Sequence, residues 1–458
     1  HWMVHSFPTR RSSDLILFCA EVHRGAFLAQ GCLARSLSPG GYVTNDKPRK
    51  IKIALVVPSL FDGGGVPAVA RFIKDSILRS GEFDLKLVSL ATSHRDESSV
   101  RLANPLTWLN GIRIRQGQWD GLPYSHVGCM ASELEFQRMK PRAALWNVLS
   151  DCDVIQVVSG SPAWALPVVG IGKPVALQVA TRAIVERQRK EKVERGPVAW
   201  WHWLMTRITN KMDDKALREV DAVQVENNWM QEYANSIGSE QNTWVRFAPP
   251  GVDATVFHPV YQRLYSEVTG RYILSVGRFN DPRKNIGLLL EAYALMRFSM
   301  SDPPRLLLAG AGDPGPDFWQ RVRELDLENS VSFHLRPTRE QLVRYYQHAL
   351  CFALSSDEEG FGVVLAEAMA CAVPVVATRC GGPESIVVDK VNGFLVPTGN
   401  ALILADRLQL LVQNMSLNQQ MGLAGRQTVE TRFTQELAGE AFLDTYRQLL
   451  KDQPGKAN

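Results

Sequence analysis

WVRFAPPGVDATVFHPV, residues Trp244–Val260, is the stretch on which the reading of the fold turns. Its paired prolines and its glycine cannot continue a helix or a central strand, so the run reads as a boundary. On either side the chain does the same thing twice. Short apolar runs alternate with polar or helical segments, and the alternation stops here and then starts again.

The series before the boundary opens at KIALVVPSLFDGGGVPAVARFIKDSIL. Ile53–Val57 is a continuous apolar, β-rich run, as a parallel strand buried on both faces requires. Gly63, Gly64 and Gly65 follow, then a helical pattern from about Ala68 to Leu78. Glycines at that turn let backbone approach a ligand, and the helix start offers free N–H groups to an anion. Further candidate strands are DLKLVSL, DVIQVVS, PVALQVA and AVQV. After the boundary come YILSVGR, RLLLAGAG, VSFH, CFALSS and PVVAT, with helical segments such as NIGLLLEAYALM and REQLVRYYQHAL between them. Two βα series predict an α/β chain of two Rossmann-like, doubly wound domains facing across a cleft. Ligands would lie beyond the strand C-terminal ends. The expected divisions are a leader at 1–45, a first domain at 46–252, a second at 253–435, and a helix at 436–458 that crosses back to the first domain.

Composition narrows the function classes. The chain has 458 residues, 45% hydrophobic and 21% charged, enough for two or three globular domains. A net charge of +4 is too slight to imply nucleic acid as a partner. Seven cysteines without a C-x-x-C pair, two of them (Cys351 and Cys371) inside apolar runs, read as reduced thiols of a cytoplasmic protein. No apolar run has transmembrane length. Ser6–Leu15, SFPTRRSSDL, is the translation of a common short-read sequencing adapter. The leader is therefore expected to be artefactual, with a disordered tail or a damaged signal peptide as the alternative; Ile16–Ala20 is short for an export core.

The chemistry concentrates in the second series. RFNDPRKN places Arg278 and Lys284 between its first strand and the next helix, where two cations suit a diphosphate, or are simply solvated. GAGDPG (Gly310–Gly315) has dinucleotide-fingerprint spacing but follows the second strand of its series and is interrupted by Pro314. DEEGFGVVLAEAMA then sets Glu359 in a loop and Glu367 about two turns into a helix. Each is a carboxylate able to accept hydrogen bonds from a sugar diol, or else a cap acid and a half-exposed helix residue. The amides around Phe361, Gly362 and Val363 would face the cleft.

Gly63–Gly65, PPGVDATVFHP, SVGRFNDPRKNIGLLLEAY, EEGFGVVLAEAMACAVPVVATRCGGPESI and NGFLVP together resemble glycosyltransferase family 4, retaining enzymes of the GT-B fold. The resemblance spans roughly Ile51 to Leu450. It implies a nucleotide-sugar co-substrate with no separate cofactor and no metal, and a glycan or lipid-linked acceptor. It also implies roles. Arg278 and Lys284 match the pair on the donor's pyrophosphate. Glu359 matches the glutamate on the transferred sugar and Glu367 the one on the ribose. The backbone of Phe361, Gly362, Val363 and Val364 matches the phosphate- and sugar-contacting turn, and Gly64 and Gly65 the loop that closes over the donor. One departure stands out: Ala180 occupies the place of a first-domain histidine common in the family, and Val158 that of an earlier one. Arg182 is a candidate substitute. Two other readings stay open: a donor-binding but inactive partner subunit, which Ala180 favours, or a sugar-nucleotide epimerase of the same fold, which would need acid–base carboxylates or histidines from the first domain.

Asp151-Cys-Asp153 imitates a D-x-D metal site but precedes its strand, so it is expected to be a surface turn. Trp200, Trp201 and Trp203 stand beside several cations. They fit either packing or a peripheral contact with the inner face of a membrane. His258 and His334 read as packing or loop residues.

Overall fold

A computed structural model describes residues 49–61, 64–238, 243–260 and 270–452. The expected leader and Gly63 lie outside the described residues. The first series forms one sheet: β1 Lys52–Val57, β2 Asp84–Leu90, β3 Ile114–Trp119, β4 Leu122–Val127, β5 Val154–Ser159, β6 Val175–Val179, β7 Ala222–Val225 and β8 Trp244–Phe247. Their spatial order is β3-β4-β2-β1-β5-β6-β7-β8, parallel except for β3. The second series gives β9 Tyr272–Arg278, β10 Arg305–Ala311, β11 Val331–Leu335, β12 Cys351–Leu354, β13 Val375–Thr378 and β14 Gly393–Val396. These lie in the order β11-β10-β9-β12-β13-β14, all parallel. The chain is thus two Rossmann-like α/β domains. In each, the strand order reverses beside the domain's first strand, between β1 and β5 and between β9 and β12.

The apolar runs become strands because both faces of each sheet are covered. Ile53–Val57 are fully buried, and so are Phe352 and Ala353 of β12. Four strands fell outside the expected ones: β3, β4, β8 and β14. IRQGQW and LPYSHV pair as an edge hairpin whose turn, Asp120-Gly121, has φ of 52° and 78°. That geometry suits a two-residue turn, and the Asp-Gly pair is its sequence signal. Its exposed face alternates weakly, which hid it. WVRF, inside the boundary stretch, pairs with β7 as the last strand of the first sheet; Pro249 and Pro250 end it.

The chain passes between the domains twice, and the two passages touch. Val252 N–H donates to Phe433 O at 2.9 Å and Gln435 N–H donates to Val252 O at 3.0 Å. A Cβ on Gly251 would stand 2.4 Å from Thr434 O, so only glycine lets the strands run this close. The helix Gln435–Lys451 then lies on the helix Gly65–Ser80 of the first domain. Phe442 meets Phe72 and Tyr446 meets Phe83 with ring centroids 5.8 Å apart. Each such fully buried side chain stabilises the docking by roughly 1.5–3 kcal/mol.

Candidate active site

At the reversal point of the second sheet, β9 ends in Arg278 and β12 runs into the loop Ser355–Gly362. Between β9 and the helix Ile286–Phe298 the chain makes a short 3₁₀ turn, Pro282–Lys284. Asp281 caps it, accepting from Arg283 N–H at 3.0 Å, and Asn285 leaves it in the left-handed region at φ 43°. This turn returns Lys284 to the end of β12. Its Nζ donates to Glu359 Oε1 at 2.5 Å, and Ser356 Oγ donates to the same oxygen at 2.6 Å. Ser355 Oγ donates to Lys284 O at 3.0 Å, fixing the turn against the strand.

Arg278 Nη2 lies 3.2 Å from Asp281 Oδ2. Its guanidinium also lies under the first domain: a Cβ on Gly64 would be 2.9 Å from Arg278 Cζ. Gly64 has φ 144° and precedes the helix Gly65–Ser80, so the helix N-terminus and the cation sit side by side. A Cβ on Gly65 would meet nothing within 4 Å.

The loop carrying Glu359 is laced to its neighbour. Glu359 N–H donates to Cys380 O at 3.2 Å, and Gly382 N–H donates to Glu359 O at 3.0 Å. Phe361 is buried against Phe433, ring centroids 5.4 Å apart, so only its backbone is free for a ligand. Gly362, at φ 88°, turns the chain into the helix Val363–Ala370, whose first residues are the half-buried Val363 and Val364. Glu367 is one turn into this eight-residue helix, not two. It is bonded to Tyr346, whose hydroxyl donates to Oε2 at 2.7 Å. Burial pushes the Glu367 carboxyl up to about 7 despite that bond and the charge of Arg339. Arg278 thus meets Gly64 and Lys284 meets Glu359, while Glu367 is held by Tyr346.

The first domain faces this loop with residues from the ends of β6 and β7. Asn227 Nδ2 donates to Ala180 O at 2.9 Å and to Gly360 O at 2.6 Å, joining the two walls. Thr181 Oγ1 donates to Glu358 Oε1 at 3.0 Å, and Arg283 Nη1 reaches Glu186 Oε1 at 3.4 Å. The Ala180 methyl and Glu226 Oε2 lie 2.8 and 2.9 Å from where a Cβ on Gly360 would stand. Arg182 does not take the place left by Ala180. It donates to Asn210 Oδ1 at 2.8 Å and Asp214 Oδ1 at 3.0 Å and stacks 3.7 Å from the Tyr233 ring centre, a packing role. Val158 is buried in the core. Glu226 was missed in the sequence, although an acid closing a short apolar strand before a helix is the pattern that drew attention to Glu359.

Asp151 lies at the opposite, N-terminal edge of the first sheet, paired with Lys52 at 2.9 Å and Lys86 at 2.7 Å; Asp153 Oδ2 accepts from Lys52 N–H. Among the described residues, no group of three or more His, Cys, Asp or Glu has metal-holding geometry. His334 contacts Tyr345, and His258 meets Pro259 O at 3.1 Å. Trp200, Trp201 and Trp203 are not core: they are 61%, 41% and 44% exposed on the helix Pro197–Glu219. Trp201 lines a cavity of about 400 Å³ with His94, Glu133, Glu135, Arg187 and Glu191, beyond the C-terminal ends of β2 and β4. No helix among the described residues is long and apolar enough to cross a membrane.

Residues 262–428 match the family model for Glycosyl transferases group 1, so the second domain is a domain of that group. The chain is 31% identical to a D-inositol 3-phosphate glycosyltransferase of Xylanimonas cellulosilytica over 230 residues, 46% of this chain and 53% of the relative. It is 33% identical to the amylovoran biosynthesis glycosyltransferase AmsK of Erwinia amylovora over 183 residues, 39% and 43% of the two chains. The chain thus spans about half the length of the curated relatives it matches. Among solved structures, HepE of Anabaena in complex with UDP-glucose superposes with a TM-score of 0.61 at 16% identity, over 87% of this chain and 100% of that one. The likeness is one of fold, and that fold is GT-B.

Proposed function

We propose that the protein is a retaining glycosyltransferase of family 4 that moves a sugar from a UDP- or GDP-sugar to a hydroxyl acceptor. The acceptor would be a glycolipid or exopolysaccharide intermediate of the cell envelope. The observation that carries this reading is the convergence of Arg278, Lys284 and Glu359 at the reversal point of the second sheet, under Gly64 of the first domain.

In this reading Arg278 and Lys284 take up the charge that grows on the diphosphate as the glycosidic C–O bond breaks. Glu359 orients the transferred sugar through its hydroxyls, and Glu367 holds the ribose. The acceptor oxygen bonds to the anomeric carbon on the face the diphosphate leaves. The acceptor's proton passes to the departing phosphate oxygen, so charge and atoms balance without a protein nucleophile or a metal. The cavity around Trp201 suits an acceptor sugar, since carboxylates accept from hydroxyls and an indole packs on an apolar ring face. The relative named for amylovoran biosynthesis supports a polysaccharide context. The bound donor of HepE supports a nucleotide sugar. Exposed Trp200 and Trp203 support a cytoplasmic protein resting peripherally on a membrane.

The inactive-subunit reading keeps one observation in its favour, the alanine at position 180. The epimerase reading keeps another, the carboxyl of Glu226 on the first-domain wall. One experiment separates all three. The full chain is incubated with UDP-, GDP- and ADP-sugars, with and without EDTA, and with membrane extract as acceptor. Nucleotide release with sugar transfer, indifferent to EDTA and lost in Glu359→Ala, supports the transferase. Release that requires a divalent ion removes the metal-free scheme. Donor binding without release from any donor favours the inactive subunit, and an epimerised donor with no nucleotide released favours the epimerase.

A further inference from the structure

Glu226 follows β7 directly and has no task in the transfer scheme above. Its side chain is buried, 5% exposed. Oε1 accepts from Gln178 Nε2 at 2.5 Å, and Gln178 is itself buried on the neighbouring strand β6. Oε2 has no hydrogen-bond partner among the described residues. It lies 2.9 Å from where a Cβ on Gly360 would stand, beside the residue that supplies the second domain's carboxylate.

A carboxyl so placed is costly. Burying it strips most of the water from the group, and the one bond from Gln178 replaces only part of that hydration. Two carboxylates facing each other would add repulsion, and burial together with the charge of Glu359 pushes Glu226 up to about 7. Lys284 is paired to Glu359, and Gln178 and Asn227 are neutral, so no cation compensates Glu226 directly. Nor is Glu226 needed to join the domains, because Asn227 does that through Gly360 O. Gly360 presents no side chain to it, and a Cβ there would already stand 2.9 Å from Oε2, so only the absence of a side chain at 360 leaves Oε2 uncovered.

We propose that Glu226 is a sugar-contacting residue, the carboxylic acid through which the first domain holds a hydroxyl of the transferred sugar opposite Glu359. A carboxylic acid both donates and accepts, as a sugar hydroxyl does, and Gln178 presets its orientation. This rests on the nucleotide-sugar reading above. It makes the donor site a product of both domains, with the sugar gripped only when the walls are as close as Asn227 holds them.

The test compares the full-length wild type with Glu226→Ala and Glu226→Gln. Calorimetry measures binding of UDP, GDP, UDP-glucose and GDP-mannose, and thermal melting checks the fold. The expected result is a loss of about tenfold or more in nucleotide-sugar affinity for Glu226→Ala, with affinity for the bare nucleotide within about twofold of wild type. Glu226→Gln, which keeps a partner for Gln178 and a group for the hydroxyl, restores most of the loss. In turnover, a donor lacking the contacted hydroxyl should be used equally well by wild type and Glu226→Ala. Unchanged nucleotide-sugar affinity, or equal losses for sugar-bearing and bare nucleotides, would overturn the proposal. Failure of the underlying reading is visible in the wild type alone, as no gain in affinity from the sugar or no binding at all.

Discussion

Lys284 Nζ and Glu359 Oε1 lie 2.5 Å apart, with side chains 18% and 11% exposed. The two residues assigned to adjoining parts of the donor, diphosphate and sugar, hold each other across the gap between β9 and β12. The pair keeps both charges compensated and aims both at one place. A donor entering there exchanges this contact for contacts with its own phosphate and hydroxyls.

Removing one member of the pair leaves the other charge buried without its partner. Lys284→Met is expected to destabilise the fold by about 3 kcal/mol. The double variant Lys284→Met with Glu359→Gln should recover most of that. Urea denaturation of the four proteins measures the coupling. Additive losses would show that the pair is no more than a surface contact. Turnover should be lost in all three variants, because the double variant repairs charge balance but not phosphate binding.

Gly64 closes over Arg278 at φ 144°, where a side chain is strained and would press on the guanidinium. Gly64→Ala is expected to raise KM for the nucleotide sugar about tenfold and to cost about 1–2 kcal/mol of stability. Steady-state kinetics and melting check the two effects separately. An unchanged KM would mean that Gly64 does not approach the donor.

The Glu226 carboxyl rises from its ordinary value of 4.5 to about 7 in the folded chain. A raised carboxyl contributes stability that is fully present below its unfolded value and is lost as pH climbs through the folded value. Between pH 5 and pH 8 the wild type should therefore lose on the order of 2–3 kcal/mol relative to Glu226→Gln. Glu367, raised to about 7, and Asp213, raised to about 6, titrate alike in both proteins and cancel. A pH-independent difference in denaturation midpoint would show that Glu226 is not held as an acid.

Gly251 allows the two interdomain passages to lie side by side, with a Cβ position 2.4 Å from Thr434 O and 2.8 Å from the Ala438 methyl. Gly251→Ala should cost about 1–3 kcal/mol through overpacking. Because the clash lies where the domains join, donor KM should rise as well. A variant with wild-type melting and kinetics would show that the close approach at Gly251 is not needed.

The class of fold and the chemistry of the second-domain wall were legible along the chain. Apolar runs such as Ile53–Val57 and Tyr272–Leu274 have one favourable fate, burial on both faces of a parallel sheet, and their restart after Pro249-Pro250 separates two sheets. Arg278, Lys284 and Glu359 stood out because charged residues at the ends of apolar strands are costly without a partner. Local pattern also erred locally: the Asp120-Gly121 hairpin and the strands Trp244–Phe247 and Gly393–Val396 were not among the expected ones, since such short strands at a sheet's edge give period and composition little to mark. Which distant residues share the cleft was fixed in three dimensions. Lys284 meeting Glu359, Gly64 resting on Arg278, Arg182 turning away to Asp214 and Tyr233, and Glu226 closing on Gly360 all depend on crossover connections and on the angle between two domains. Spacing along a chain carries no information about that angle. It is fixed by contacts such as Asn227 with Gly360, Val252 with Phe433, and Phe442 with Phe72, each joining segments remote in sequence.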